Sequence, residues 1–284
     1  MVNKNIFVPM LSGIVDLEKL IYPVYVQCKL DGHRCLLIDG ILYSRKMEVI
    51  RNKHLQEKFG KYTEFPLDGE LLSNISFEHA TSIINSYDAP IDEITYNVYD
   101  VVADIPFIER LEIIESIPNS VITFLAKDEA DIELLWDKYV TELKYEGLMF
   151  RSIESPYKRG RSTTKEGYLL KYKKFLDAEA TIIEVVERLK NNNAKTIDNV
   201  GKAKRSSAKA GKTPAGMVGS FKVYNELMGE FSVAKGCITN DIAKEIFESK
   251  EDYIGKRITF KYQELTKYGK PRFPTFERMY REAN

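Results

Sequence analysis

Two short apolar runs, Val24 to Lys29 and Cys35 to Ile38, are joined by Leu30-Asp31-Gly32-His33-Arg34, and this stretch constrains the fold most. Both runs have the length and composition of strands, and Asp-Gly between such runs predicts a tight hairpin. A hairpin here brings the Lys29 amine and the Arg34 guanidinium together at one mouth. A lysine amine, with an ordinary pKa of about 10.4, becomes a nucleophile only where burial or neighbouring cations favour its neutral form. Most lysines beside turns are simply solvated. A Lys-x-Asp-Gly-x-Arg pattern arises by chance in roughly one chain in two hundred of this length, so the rest of the sequence must decide between the two readings.

The 284 residues, 44% of them hydrophobic, favour two domains with real cores. No apolar run approaches the roughly 18 residues of a membrane span, and Met1 to Asn5 lacks the apolar centre of a signal peptide. The expectation is a soluble intracellular protein. Cys28, Cys35 and Cys237 form no CxxC pair, and His33, His54 and His79 form no HExxH pattern, so zinc chemistry and a disulfide framework have little support. Formal net charge is zero, but the charge is unevenly spread.

Asp39-Gly40 predicts a second turn, leading through Ile41 to Ser44-Arg45-Lys46, which is either a solvated strand end or a phosphate contact. Pro66 to Leu72 reads as a strand with Asp68 and Glu70 on one face, suited to a divalent metal or a ribose hydroxyl unless the segment is a plain turn. Ser76 is placed to cap a helix over 77–86. Tyr96 to Val102 alternates as a strand, on which Tyr99 is either core or a surface for a base to stack on. Ile132, Leu135, Trp136, Tyr139, Val140 and Leu143 mark an amphipathic helix. Glu146-Gly147 opens another strand, and Tyr157 to Ser162 is a basic loop. Lys171 and Lys173 share a strand face, a repulsion that a bound anion would relieve and a solvated edge would tolerate.

After Asp177 the texture changes. Residues 191–214 hold Lys195, Lys202, Lys204, Arg205, Lys209 and Lys212 against the single acid Asp198, with little apolar content. Such a segment is expected to remain disordered alone and to order on a polyanion. It lies between strands of one β-rich unit, with further strands over 218–224, 229–234 and 257–264 and a helix over 239–249, a pattern that fits a small closed barrel of the OB type.

The ordered set Lys29-x-Asp31-Gly32-x-Arg34, Ser44-Arg45, Asp68-Gly69-Glu70, Tyr99-Asp100, Glu146-Gly147 and Lys171-x-Lys173, followed by an OB-like unit, resembles the covalent nucleotidyltransferase superfamily. That group holds ATP-dependent DNA ligases, RNA ligases and capping enzymes, and the likeness is greatest to minimal viral DNA ligases of the chlorovirus type. It implies an α+β protein, with an adenylyltransferase domain of antiparallel sheets and helices over 1–176 and a β-barrel OB-fold domain over 177–284 carrying a DNA-encircling latch at about 191–214. The implied activity is sealing of nicked duplex DNA by a monomer, with ATP as AMP donor and Mg²⁺ (or Mn²⁺), during replication, repair and recombination, in the host cytoplasm or at a site of viral DNA synthesis. No protein partner is implied.

Position by position, the resemblance implies that Lys29 takes AMP, Tyr99 stacks on adenine with Gln27 near its edge, and Glu70 meets the ribose. Glu146, with Glu70, helps hold the metal. Lys171 and Lys173 contact the AMP phosphate, Arg34 and Arg45 the AMP or the nick 5′-phosphate, and Asp31 serves sealing. Arg272 faces the pyrophosphate, with Arg281 a weaker candidate. Ser44, Arg45 and the six cations of the basic segment (Lys195, Lys202, Lys204, Arg205, Lys209 and Lys212) contact DNA. The family often has glycine after Ser-Arg-x, where Met47 stands here, and phenylalanine where Tyr99 stands.

Overall fold

The structure is a computed structural model that describes residues 7–62, 64–266 and 268–280. Arg281 and the segment Met1 to Asn5 lie outside the described residues. Contacts divide the chain into two compact units, 1–173 with 197–202, and 174–196 with 203–284.

The first unit runs β1 (Met10–Leu11), β2 (Gly13–Ile14), β3 (Val24–Lys29), β4 (His33–Ile38), β5 (Ile41–Ser44), α1 (Lys53–Phe59), β6 (Leu67–Ser73) and α2 (Phe77–Asn85). It continues through β7 (Ile94–Val101), α3 (Phe107–Glu115), β8 (Thr123–Ala126), α4 (Glu129–Leu135), β9 (Gly147–Ser152), β10 (Gly160–Arg161) and β11 (Leu170–Lys173). Its strands form a five-stranded sheet ordered β2-β11-β9-β3-β8, a four-stranded sheet ordered β5-β4-β6-β7, and the small pair β1-β10.

The expected hairpin at Asp31-Gly32 does not form. β3 pairs with β8 and β9, whereas β4 pairs with β5 and β6. Residues 30–32 are therefore a crossing between sheets. Gly32 is needed there for space: a Cβ would lie 2.5 Å from the Leu71 carbonyl oxygen and 2.9 Å from the Glu70 Cγ. The second turn does form as the sequence predicts, with Asp39 (φ 49°) and Gly40 (φ 76°) closing the β4-β5 hairpin.

Period-two alternation orients the five-stranded sheet. Val24, Val26, Leu148, Phe150 and Leu170 pack with Ile132 and Val140 into one core. The intervening residues, Gln27 and Lys29, Met149 and Arg151, and Lys171 and Lys173, face the other way. The four-stranded sheet buries Cys35, Leu37, Leu67, Leu71, Tyr96 and Val98 against α1, α2 and α3 in a second core. Ser76 caps α2 by accepting from the His79 amide at 3.1 Å. The helix expected from Ile132 to Leu143 starts earlier, at Glu129, capped by the Asp128 carboxylate, and from Trp136 to Glu142 it widens into a π-helix.

The second unit contains β12 (Leu176–Asn191), β13 (Lys195–Ile197), β14 (Ala203–Arg205), β15 (Lys212–Asn225), β16 (Gly229–Ala234), α5 (Asn240–Glu248), β17 (Arg257–Tyr262) and β18 (Thr275–Met279). Five of these close a barrel ordered β12-β15-β16-β18-β17 around Ile182, Val185, Phe221, Val223, Val233, Ile258 and Phe260. β12 pairs with β17 through its first third and with β15 through the rest. Thr239 caps α5. Beyond the barrel, the strands of the basic segment are not disordered as expected: β13 and β14 pair with each other into a two-stranded ribbon between β12 and β15.

Candidate active site

A cavity of about 230 Å³ opens in the first unit, lined by residues of both sheets. Its floor is set by register. On β9, Gly147 pairs with Lys29 of β3 on one side and with Lys173 of β11 on the other. Gly147 tolerates no side chain, since a Cβ would fall 2.0 Å from the Tyr172 carbonyl oxygen. Glu146, one residue earlier, thus sits between two lysines that are distant from it in sequence. Its Oε2 accepts from Lys29 Nζ and its Oε1 from Lys173 Nζ. Lys29 Nζ also donates to the Leu30 carbonyl at 3.2 Å.

Lys171 lines the same cavity with Arg45 and Arg161. Burial, then the positive charges of Lys173, Arg161, Lys29 and Arg45, hold the Lys171 ammonium below its ordinary pKa. The two lysines expected to share a face do so, and an anion placed among these cations removes the repulsion.

Glu70 lines the opposite wall. Burial pushes its carboxyl up to about 7, against the pull of Lys29 and Arg34. Asp68 shares its face but has a different task. Buried to 1% exposure, it accepts from Arg34 Nε at 2.9 Å, from the Tyr99 hydroxyl at 3.0 Å and from the Tyr157 hydroxyl at 2.6 Å. The pair of carboxylates expected on this strand is therefore one open group, Glu70, and one group bound within the protein. Arg34 lines the cavity while held by Asp68 and the Met10 carbonyl (2.6 Å).

Tyr99 also lines the cavity, and its hydroxyl, absent from phenylalanine, fixes the ring to Asp68. Gln27 is 2% exposed. Its amide donates to the Tyr99 carbonyl (3.1 Å) and the Thr123 hydroxyl (3.0 Å) and accepts from Arg151 Nε (3.2 Å). Both of its amide hydrogens are thus occupied within the protein.

Sequence reasoning missed Arg151 and Asp100 as site supports. Arg151 is 2% exposed, lines the cavity and pairs with fully buried Asp100, which also binds Arg110 Nε at 2.8 Å. Their one available signal was charge inside otherwise apolar strand patterns, since charged groups are seldom fully buried without a partner. Arg161, exposed at the cavity edge, donates to the Ser12 carbonyl at 2.6 Å.

Other expected site residues lie away from this cavity's walls. Ser44 closes a turn, its Oγ accepting from the Lys46 and Glu48 amides, each at 3.3 Å. Met47 in that turn has φ 59°, the left-handed conformation that glycine adopts without strain. Asp31 sits in the sheet crossing. Arg272 belongs to the second unit, where it pairs with Glu264. Lys195, Lys202, Lys204, Arg205 and Lys209 are exposed on the ribbon and Lys212 is half-buried at its base.

Among the described residues no cluster of three or more His, Cys, Asp or Glu side chains is placed to hold a metal. The donors on offer are the carboxylates of Glu70 and Glu146. Such a sparse set fits a hard divalent cation that takes one or two carboxylates and completes its shell with water and phosphate oxygens. Among the described residues no helix is long and apolar enough to cross a membrane.

Comparison with known proteins points to DNA ligases. Residues 210–279 match the DNA ligase OB-like domain. A DNA ligase of Haemophilus influenzae is 27% identical over 274 residues, covering 85% of this chain and 87% of that protein. The crystal structure of Chlorella virus DNA ligase-adenylate is 28% identical, with a TM-score of 0.54 over 98% of this chain and 100% of the other. A structure from work on DNA binding with a minimal scaffold by Lig E DNA ligases gives a TM-score of 0.72 at 24% identity, over 96% and 99% of the two chains, and supports the fold. The chain thus carries a two-sheet domain whose cavity gathers Lys29, Lys171, Lys173 and Glu70, and in sequence after it a barrel that matches the DNA ligase OB-like domain, and over most of its length it is similar to DNA ligases.

Proposed function

We propose that the protein seals nicks bearing a 3′-hydroxyl and a 5′-phosphate in duplex DNA, using ATP. The observation that carries this reading is the register that sets Lys29 and Lys173 on either side of Gly147 across three adjacent strands, with Glu146 bonded to both lysines and Lys171 and Arg45 beside them in a cavity walled by Glu70 and Tyr99. In the first step the Lys29 Nζ lone pair forms a bond to the α-phosphorus of ATP, the bond from that phosphorus to the pyrophosphate oxygen breaks, and Nζ gives up its proton. The Glu146 carboxylate is hydrogen-bonded to that amine. Next, an oxygen of the DNA 5′-phosphate attacks the AMP phosphorus and frees Lys29. Finally the 3′-hydroxyl attacks the 5′-phosphorus and AMP leaves.

Such transfers need positioning and charge stabilisation more than covalent invention. Tyr99 offers the base a ring with Gln27 beneath its edge, Glu70 meets the ribose, and Lys171 and Lys173 hold the AMP phosphate. Arg34 and Arg45 serve the AMP or nick phosphate, Ser44 shapes the turn that presents Arg45, Asp31 serves sealing, and Arg272 meets the pyrophosphate. A divalent cation held by Glu146 and Glu70, Mg²⁺ or Mn²⁺, neutralises phosphate charge when bound. The six ribbon cations grip the duplex backbone. On this reading the protein works as a monomer inside the cell, in the host cytoplasm or at a site of viral DNA synthesis, in replication, repair and recombination.

The test is incubation with a divalent cation and α-labelled ATP or GTP, followed by denaturation. Label from ATP alone, acid-labile and absent in Lys29→Ala, is the expected result. Label from GTP moves the reaction to capping chemistry. Absence of label, together with no AMP released from the purified protein by pyrophosphate, overturns the proposal.

A further inference from the structure

We propose that Asn193, braced by Asn191 and Asn192, is the positioning residue that keeps the basic ribbon folded before DNA arrives, so that the ribbon meets the duplex as a preformed arm. The inference rests on the reading that the ribbon grips DNA. Its starting point is a contradiction in composition: every residue of β13 and β14 is exposed, so no apolar burial within these strands holds them.

Asparagine side chains take the place of that core. The Asn193 Nδ2 lies 2.9 Å from each of three oxygens, the Asn191 Oδ1 and the carbonyls of Ser206 and Ala208. Asn191 Nδ2 donates to the same Ser206 carbonyl at 2.9 Å, and its Oδ1 accepts from the Asn193 amide at 3.1 Å. Asn192 ties the base of the ribbon, its backbone donating to the Gly211 carbonyl at 2.8 Å and its side chain to the Thr213 hydroxyl at 2.9 Å. Arg205 returns a bond to the Asn193 carbonyl. The fit is close: a Cβ at Gly211 would lie 2.0 Å from the Asn193 Oδ1. At the far end the one acid, Asp198, accepts from the Val200 (3.1 Å) and Lys202 (2.7 Å) amides and closes the turn.

The amides thus tie the two legs of the ribbon together at its base and leave Lys195, Lys202, Lys204, Arg205 and Lys209 exposed. A segment already ordered loses less conformational entropy on binding, which favours affinity without adding a phosphate contact. A residue that acts this way should change affinity without changing how affinity depends on salt, because that slope counts the phosphates neutralised.

The experiment is hydrogen exchange over residues 192–212 of the free protein, combined with nicked-duplex binding across a salt series, for wild type, Asn193→Ala and Gly211→Ala. The second variant displaces the Asn193 amide while leaving Asn193 in place, so agreement between them separates loss of the frame from a local defect. Slowed exchange in the free wild type is expected, lost in both variants, with nick affinity falling about tenfold or more at an unchanged salt slope. Exchange at the rate of an unstructured chain in the free wild type overturns the proposal. So does unchanged affinity in both variants, or a salt slope reduced by about one phosphate contact in Asn193→Ala, the mark of direct DNA contact. Exchange needs no DNA, so it decides the ribbon's order even if Lys29 takes up no label and the ligase reading itself fails.

Discussion

Lys29 and Glu146, 117 residues apart, are joined by a hydrogen-bonded ion pair because the strand that ends at Lys29 runs antiparallel beside the strand that begins at Gly147. The same carboxylate holds Lys173. Replacing Glu146 by Gln removes the charge that keeps both lysines in place while retaining the volume. Formation of lysyl-AMP should fall by about 10²-fold or more. Single-turnover labelling with ATP measures it, and a variant within threefold of wild type would show that the pair is only structural.

The carboxyl of Glu70 makes stability depend on pH in an unusual direction. Its folded-state value, about 7, exceeds the ordinary 4.5, so the folded protein binds the proton more tightly than the unfolded chain. The stabilisation is fully present below about 4.5 and is lost as pH rises to about 7, on the order of 3 kcal/mol in all. Glu70→Gln should flatten that part of the curve and raise the thermal midpoint above pH 7. Melting curves from pH 4 to 8 test this; parallel curves for the two proteins would refute it.

Met47 occupies a left-handed backbone conformation at φ 59°, where glycine carries no steric penalty. Met47→Gly relieves about 1 kcal/mol or more of strain and returns part of it as unfolded-chain entropy, so a net stabilisation of up to about 1 kcal/mol is expected. Chemical denaturation measures it. A loss of stability would mean that the Met47 side chain contributes more than its backbone costs.

Removal of residues 195–212 takes away the ribbon cations but none of the cavity. Nick sealing should weaken at every salt concentration, with nick affinity losing about one unit of its slope against log salt for each phosphate contact removed, while labelling of Lys29 continues. Equal loss of both activities would refute this division of labour.

Much of the site was legible locally. Alternation placed Lys171 and Lys173 on one face and Asp68 with Glu70 on another, and Ser76 and Asp39-Gly40 announced their cap and turn. Composition misjudged the ribbon, because a count of apolar residues does not register side-chain amides that bind backbone carbonyls. It also missed β18, the strand that closes the barrel against β16 and β17.

The sequence by itself determined strands such as β3, β6, β7 and β11 and which face their side chains share, because periodicity acts over a few residues. Only the tertiary structure decided that Lys29 and Arg34 stand on different sheets, that Arg34 is bound to Asp68, and that Glu146 lies between two lysines. Those outcomes depend on which strands pair across long separations, and on close approaches such as those at Gly32 and Gly147, which no local pattern encodes.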